Sequence, residues 1–552
     1  MCLVCFQWSC SGIKDCDGAP TFGLTADAAT GEVRDYTALL AYLDYPEARF
    51  NAMTQLGTQV FVSYSFLEAA ELPSLVDYQP HPNDGYWSFS ADQRANTRAA
   101  MAAVSAISGV TFVETTGTET MVQIFGTSGS NYGGWAHYPW IGESWGTGAA
   151  YMVIDQAGGF PPGGWAYEIV LHELGHVVGL KHPFEGGVVL AEDMDTTFHT
   201  LMSYSRTGSP GAAYSQLDIE SLQHLYGAPG QSDGWLWHFA GEVFNLTAGP
   251  GADTIIGIRT ASVLSGGGDD DLIIGAQGND TLYGGSDNDT LRGGAGNNLL
   301  VGGAGDDRIE GPSAWPEGMA GDTVWGGTGD DVVLLYHGQN EVWAGPGQDS
   351  LYGGSGSDTL GGGAGDDLIV AQDGTGNALW GADGRDTLTA ADWGDVAGGG
   401  AGDDLVQGGA GWDTLMGGTG NDSVQGGDGS DLIYLGAGND TGQGGAGNDT
   451  LLAGPGFDRL WGGAGADRFE FWRGAGWNRI EDYAQSESDH IVIGSGHWRA
   501  DHGILTRQQV VDTFGRISAE GDAVLDFGSA GTVIVIVGAG SLTDIASGLE
   551  LI

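Results

Sequence analysis

The chain has 552 residues, with 18 basic against 72 acidic side chains and a formal net charge of -54. That length suggests several domains, and that charge excludes a nucleic-acid binder, which needs a basic face to neutralise phosphates. No apolar run reaches the roughly 18 residues of a membrane span, and a hydrophobic share of 41% argues against simple disorder.

In chain order, residues 1–50 form a first region that holds all four cysteines, Cys2, Cys5, Cys10 and Cys16. The opening Met1-Cys-Leu-Val-Cys-Phe6 has no basic segment and only a short apolar run, so no cleaved secretory leader is expected. Residues 35–43 are helix-like. The second region, 51–240, has the composition of an ordinary globular domain. Residues 58–66 alternate like a strand, and Ser90 caps a helix predicted to run to about Ser108. Residues 110–114, 121–125 and 151–155 read as further strands.

At 172 the chain reads His172-Glu-Leu-Gly-His176-Val-Val-Gly-Leu-Lys-His182, the eleven-residue His-Glu-x-x-His-x-x-Gly-x-x-His motif. On a helix, His172 and His176 are one turn apart and face the same side. Gly179 suits the left-handed position that ends a helix and lets the chain return with His182. Three imidazoles and a vacant fourth position describe a catalytic Zn2+ site, one ion per chain, rather than a structural one. Such a site acidifies water towards a pKa of about 7 and polarises a scissile carbonyl. Glu173, beside the metal, serves as general base and then as proton donor to the leaving amine.

The third region, 241–490, contains a nonapeptide array from about 249 to 467, in which Gly-Gly-x-Gly-x-Asp-x-apolar-x recurs. This repeat is the Ca2+-binding signature of RTX proteins. The acidic positions assigned to Ca2+ are Asp271, Asp280, Asp289, Asp307, Asp331, Asp349, Asp358, Asp367, Asp404, Asp413, Asp422, Asp431, Asp440, Asp449 and Asp467. Asp386, Asp395 and Asp458 keep the same nine-residue register, and Asn298 and Asn340 occupy acidic positions. The phase breaks between Asp307 and Asp322 and between Asp367 and Asp386; both breaks read as insertions. The repeats around 335–340 and 390–395 are weak and are expected to bind nothing. Glycines permit the tight turns, and turn carbonyls and carboxylates supply the hard oxygens that Ca2+ prefers. The apolar residue two after each Asp is expected to point inward, and Leu360, Leu405, Leu415 and Leu451 are assigned to that position. Two nonapeptides then make one turn of a parallel roll. Between 253 and 467 there are 31 Asp and 3 Glu against 5 Arg, a net of -29. Without several calcium ions, that repulsion opposes folding. The array is therefore expected to stay unfolded at cytosolic calcium and to fold outside the cell, where such modules bind at about 10⁻⁴–10⁻³ M. The last region, 491–552, returns to mixed composition, with strand-like segments at 491–493 and 532–537.

Several segments of residues 35–552 resemble the serralysin family of secreted bacterial metalloproteases, which are metzincins. They are the zinc motif in its setting Tyr167-Glu-Ile-Val-Leu-His172, the stretch Thr200-Leu-Met-Ser-Tyr-Ser205, which is similar to the family's Met-turn, and Gln216-Leu-Asp-Ile-Glu-Ser-Leu-Gln-His-Leu-Tyr-Gly227. The calcium roll follows in the family's order. The resemblance implies a multidomain protein, an α+β metzincin catalytic domain followed by an all-β parallel β-roll. It implies a secreted metalloendopeptidase acting on protein or peptide substrates. It also implies that Met202 underlies the zinc site and that Tyr204 is a switchable zinc ligand that stabilises the oxyanion. Gly133-Gly-Trp-Ala-His-Tyr138 matches the edge strand that pairs with substrate; His137 within it is read as a surface residue. Export through a type I secretion exporter follows from the family's uncleaved C-terminal signal, with Asp482-Tyr483 and Asp526-Phe527 in similar segments.

Three features depart from the family pattern: the length of the array, the cysteines, and Phe184-Glu-Gly-Gly187 after the third histidine, which leaves substrate preference open. A cysteine thiolate occupying the zinc would make residues 1–50 the latch of a zymogen; the alternative is a tail whose thiols do nothing. A competing function is a calcium-dependent surface or adhesion protein with a vestigial protease domain. A serine hydrolase is disfavoured, because Gly142-Glu-Ser-Trp-Gly146 and Gly230-Gln-Ser-Asp-Gly234 lack the strand-to-helix setting of a nucleophile elbow.

Overall fold

The structure, a computed structural model, describes residues 32–33, 39–40, 56–72, 85–116, 120–128, 134–136, 150–154, 160–184, 189–190, 194–197, 200–203, 213–230, 235–312, 321–502, 504–539 and 541–552. Two compact units divide it, Met1–Gly266 with Leu272–Asp280 and Gly267–Asp271 with Thr281–Ile552. The expected helix at 35–43 lies outside the described residues except for Leu39 and Leu40, which are buried.

The first unit is built on a six-stranded sheet, in the order Val110–Glu114, Val60–Phe66, Val122–Ser128, Ala150–Ile154, Gly134–Ala136, with Gly85–Trp87 added on Val122–Ser128. The first four strands are mutually parallel; Gly134–Ala136 and Gly85–Trp87 run antiparallel to their neighbours. All seven residues of Val60–Phe66 are buried, as suits a strand covered on both faces. Its two serines are satisfied there: Ser63 Oγ accepts from Met121 N at 3.1 Å, and Ser65 Oγ lies 3.2 Å from Thr120 Oγ1.

Helix α1, Ala91–Ser105, starts where Ser90 predicts. Gln93 completes a reciprocal capping box with it, which satisfies two N–H groups that a helix start otherwise leaves free. The helix ends at Ser105, three residues before the expected Ser108, because the chain must turn to enter the strand at Val110. Helix α2, Trp165–Val177, and helix α3, Gln216–Tyr226, complete the layer. Met101, Val104, Leu171, Leu174, Leu222 and Leu225 share one core with strand residues such as Val62 and Ile124. Ile256 and Ile274 of the strands Thr254–Ile256 and Leu272–Ile274 belong to the same cluster.

The second unit is a parallel β-roll. Successive short strands go to alternate sheets. Thr281–Ser286, Leu299–Ala304 and Thr323–Thr328 are neighbours in one, and Thr290–Arg292, Arg308–Glu310 and Val332–Leu334 in the other. Register pairs such as Thr281↔Leu299 are eighteen residues apart, so two nonapeptides do make one turn. Leu282, Leu300, Val324, Val342 and Leu360 form one fully buried column, each side chain contributing roughly 1.5–3 kcal/mol of burial. Gly303 shows why the turns require glycine: its φ is 126°, and a Cβ there would lie 2.1 Å from Gly285 O.

One expectation changes. Leu405 does not point inward; it is half-buried, and Val406 fills the fully buried position. Side chains alternate along a strand, and Val406 is the residue two after Asp404, whereas Leu405 is one after. The break between Asp367 and Asp386 is a one-residue lengthening of a turn. Asn377 takes the acidic slot there, its N–H donating to Asp395 Oδ1 at 2.6 Å while its own Oδ1 accepts from Asp358 N at 2.9 Å. At the other break Asn298 N donates to Asp322 Oδ1 across 24 residues instead of 18, and residues 313–320 lie outside those described. The roll continues through Arg468–Phe471, Gly476–Ile480 and His490–Ile493. Thr532–Ile536 joins Gly476–Ile480, followed by the antiparallel strands Ala523–Asp526 and Gly515–Ile517, and Leu549–Leu551 joins His490–Ile493.

Candidate functional site

Helix α2 carries His172, Glu173 and His176, all three largely buried. The helix ends at Val177, and Gly179, with φ 91°, reverses the chain so that His182 meets the two helical histidines. His182 Nε2 lies 3.3 Å from His172 Nε2 and 3.1 Å from His176 Nε2. The carbonyls of Leu201 and Leu180 lie 2.9 and 2.8 Å from Nδ1 of His172 and His176. Each carbonyl can only accept, so these contacts place the protons on Nδ1 and turn both Nε2 lone pairs to one point. Lone pairs so close repel unless a cation sits among them. Ligands arranged tetrahedrally at zinc–nitrogen distances of about 2.0–2.1 Å lie about 3.3 Å from one another, the spacing found here.

Burial, followed by the neighbouring rings of His182 and His172, holds His176 well below the usual imidazole range, against the opposing pull of the Leu180 carbonyl. Its neutral form, the one that can ligate a metal, is therefore favoured. Met202 is fully buried. A Cβ on Gly175 would come within 2.5 Å of Met202 Sδ, so the fourth residue of the motif is small because the methionine packs against it. Phe184 stacks on His182, with ring centroids 5.2 Å apart and planes 5° apart, and is 46% exposed. Tyr204, His137 and the four cysteines lie outside the described residues.

Sequence reasoning missed Asp218. It is fully buried on α3 and accepts from Thr200 Oγ1 at 2.6 Å, Leu201 N at 2.9 Å, and Ser215 N and Oγ at 2.9 and 2.8 Å. The readable signal was Ser215-x-x-Asp218, a capping-box pattern.

In the roll, the fifteen aspartates assigned to calcium are all buried in the acidic slots, together with Asp322, Asp386, Asp395 and Asp458. From Asp280 onward their Oδ1 atoms accept a backbone N–H from the slot one turn earlier, as Asp307 Oδ1 does from Asp289 N at 2.8 Å. The Oδ2 atoms of Asp289, Asp307, Asp349, Asp404, Asp422 and Asp449, among others, are buried with no hydrogen-bond partner. Burial is the main reason that Asp307, Asp367, Asp422 and Asp449 are pushed up to about 7, with nearby aspartates adding to it. Orphaned carboxylate oxygens beside backbone carbonyls suit a hard divalent cation. In the weak repeat before it, Asp395 differs: its Oδ2 accepts from Ala391 N at 2.9 Å.

Among the described residues no helix is long and apolar enough to cross a membrane. The family model of the RTX calcium-binding nonapeptide repeat (four copies) matches residues 247–282, 283–311, 318–351, 338–369, 394–424, 407–442 and 443–477. Serralysin C of Dickeya chrysanthemi is 27% identical over 239 residues, 37% of this chain and 46% of that protein. Metallopeptidase AprA of Pseudomonas marginalis is 27% identical over 249 residues, 39% and 50% of the two chains. Metalloprotease AprA of Pseudomonas entomophila (strain L48) is 30% identical over 216 residues, 34% and 43%. The chain spans about half the length of the curated relatives it matches. It carries RTX calcium-binding repeats and is similar to serralysins.

Proposed function

We propose that this protein is a secreted, calcium-folded zinc endopeptidase. The observation that supports the reading is the meeting of three imidazole Nε2 atoms, 3.1 and 3.3 Å apart, on the residue spacing of the eleven-residue motif. His172, His176 and His182 hold one zinc ion. When bound, the ion supplies Lewis-acid polarisation of the scissile carbonyl and acidifies water.

The chain's own residues do the rest. Glu173 accepts the proton of the attacking water and passes it to the leaving amine. Met202 supplies an apolar floor, and Tyr204, by its resemblance to the family's tyrosine, stabilises the oxyanion. Gly134–Ala136, at the edge of the six-stranded sheet, offers backbone groups to an extended protein or peptide substrate. The chain leaves through a type I exporter, and the aspartates of the roll take up several calcium ions outside the cell. The matches to serralysin and AprA support this, each over less than two fifths of this chain.

Metal analysis of the calcium-loaded protein is expected to find one zinc and many calciums. Glu173→Ala should keep the zinc yet hydrolyse casein at least about a hundredfold more slowly. At saturating calcium, 1,10-phenanthroline should stop hydrolysis without unfolding the roll. Equal hydrolysis by the variant, or an active protein free of transition metal, would overturn the proposal. Zinc binding without hydrolysis in the wild type would favour a surface protein with a vestigial protease domain.

A further inference from the structure

The two sheets of the roll present different outer faces. In the sheet containing Thr281–Ser286, one outward column reads, in successive register, Tyr283, Val301, Trp325, Trp343, Gly361, Trp380, Gly398, Met416, Tyr434 and Leu452. The corresponding column of the other sheet is mixed: Arg292 and Glu310 pair at one end, Tyr352 and Trp461 are its aromatic members, and Gln407, Gln425 and Gln443 stand in succession between them. Tyr283 is 41% exposed, Trp325 49%, Trp380 37% and Tyr434 39%. Aromatic side chains standing in water on a regular sheet are costly to keep exposed and mark a contact surface.

The rings lie flat. A Cβ on Gly361 would fall 2.4 Å from Cε3 of Trp343, and one on Gly398 would fall 3.0 Å from Cζ3 of Trp380. Each indole therefore reclines over the glycine of the next strand, and the glycines are what permit it. The result is a platform of π faces at multiples of the strand spacing of about 4.8 Å.

The face also carries little charge. In a chain of net charge -54, the aromatic column and the outward column beside it (Thr281, Leu299, Thr323, Glu341, Thr359, Ala378 and on to Thr450) contain one ionisable carboxylate, Glu341. That carboxylate accepts from Trp343 Nε1 at 3.1 Å. Threonine hydroxyls thus run alongside flat aromatic rings.

We propose that this face binds an uncharged, extended β-1,4-linked glucan chain. Pyranose rings present flat C–H faces that stack on aromatic rings, and their equatorial hydroxyls fall to the sides, where Thr323 and Thr359 stand. The ring repeat of such a chain is comparable to the strand spacing of about 4.8 Å, so one polymer lying along the column meets Trp325, Trp343 and Trp380 in turn. From Thr281 to Leu452 neither column carries a basic group, which selects against anionic polysaccharides, and the molecule's own charge repels them; Arg468 and Glu470 enter only at the next rung. The site is independent of the peptidase reading and tethers the molecule to a solid polymer.

The test is depletion of the full-length, calcium-loaded protein from solution by microcrystalline cellulose, with soluble cellohexaose as competitor. Wild type should be depleted and released by cellohexaose, and Trp325→Ala/Trp343→Ala/Trp380→Ala should bind at least tenfold more weakly. Calcium-dependent circular dichroism of the triple variant must match wild type; Trp393→Ala, a turn tryptophan outside the column, serves as a second variant and should bind normally. Failure of wild type to bind, or undiminished binding by a folded triple variant, overturns the proposal. So does concentration-dependent dimerisation that the triple variant abolishes, which would make the face a contact between copies, and so does equal binding to alginate.

Discussion

Asp218 holds Leu201 by its N–H, and the carbonyl of the same Leu201 fixes His172 Nδ1. One buried carboxylate thereby sets the direction of an imidazole it does not touch, as outer partners of metal ligands generally do. Burial pushes its carboxyl up, and the four hydrogen bonds from the Leu201 and Ser215 regions only partly offset that. Asp218→Asn should lower stability by about 1–3 kcal/mol, because an amide group now faces donors. It should also speed loss of zinc to a chelator while leaving the roll's calcium response unchanged. Unaltered zinc retention in a destabilised variant would reduce Asp218 to a helix cap. The histidines were readable because one helical turn and one glycine suffice to bring them together. Asp218 was not, because its partners Thr200 and Leu201 lie 18 and 17 residues away in the chain.

At the level of the strand, alternation decides everything, and a shift of one residue exchanges core for solvent. Leu415 is fully buried and Leu405 is not. Leu415→Ala should therefore cost about 2–5 kcal/mol in calcium-loaded thermal unfolding, and Leu405→Ala under about 1 kcal/mol; comparable losses would mean the register is wrong. The parallel roll was legible from its period of nine, since the pattern states both the turn and the inward residue. The register of individual repeats was less so where Gly and Asp give way, as at Asn377, whose amide mimics the carboxylate's acceptor but adds a donor. In the first unit, the start of α1 was legible from Ser90 and its end was not, since the strand that follows determines where it stops.

The acidity of the whole roll makes its folding a question of cations. Asp307, Asp331, Asp367, Asp422, Asp449 and Asp458 titrate near 7 in the folded, metal-free chain, against about 3.9 when unfolded. Between those values the folded state binds more protons than the unfolded one, so its stability falls as pH rises from about 4 to 7. Chelated protein should gain β-structure by circular dichroism at pH 4.5 and lose it at pH 7.5, where millimolar calcium restores it. A chelated roll that is more ordered at pH 7.5 than at pH 4.5 would contradict the assignment of these carboxylates as the cation sites.

A pile of near-identical parallel rungs is a template on which a further copy could grow. The sheet edges formed by Gly515–Ile517 and Leu549–Leu551 answer that hazard with brevity and charge. Arg516 bonds Asp526 at 3.1 Å and Glu550 bonds Arg468 at 2.5 Å, so a newcomer must strip ion pairs before it can pair. Arg516→Val/Glu550→Val should thus turn a dispersed protein into one that assembles into fibres at high calcium, visible by electron microscopy.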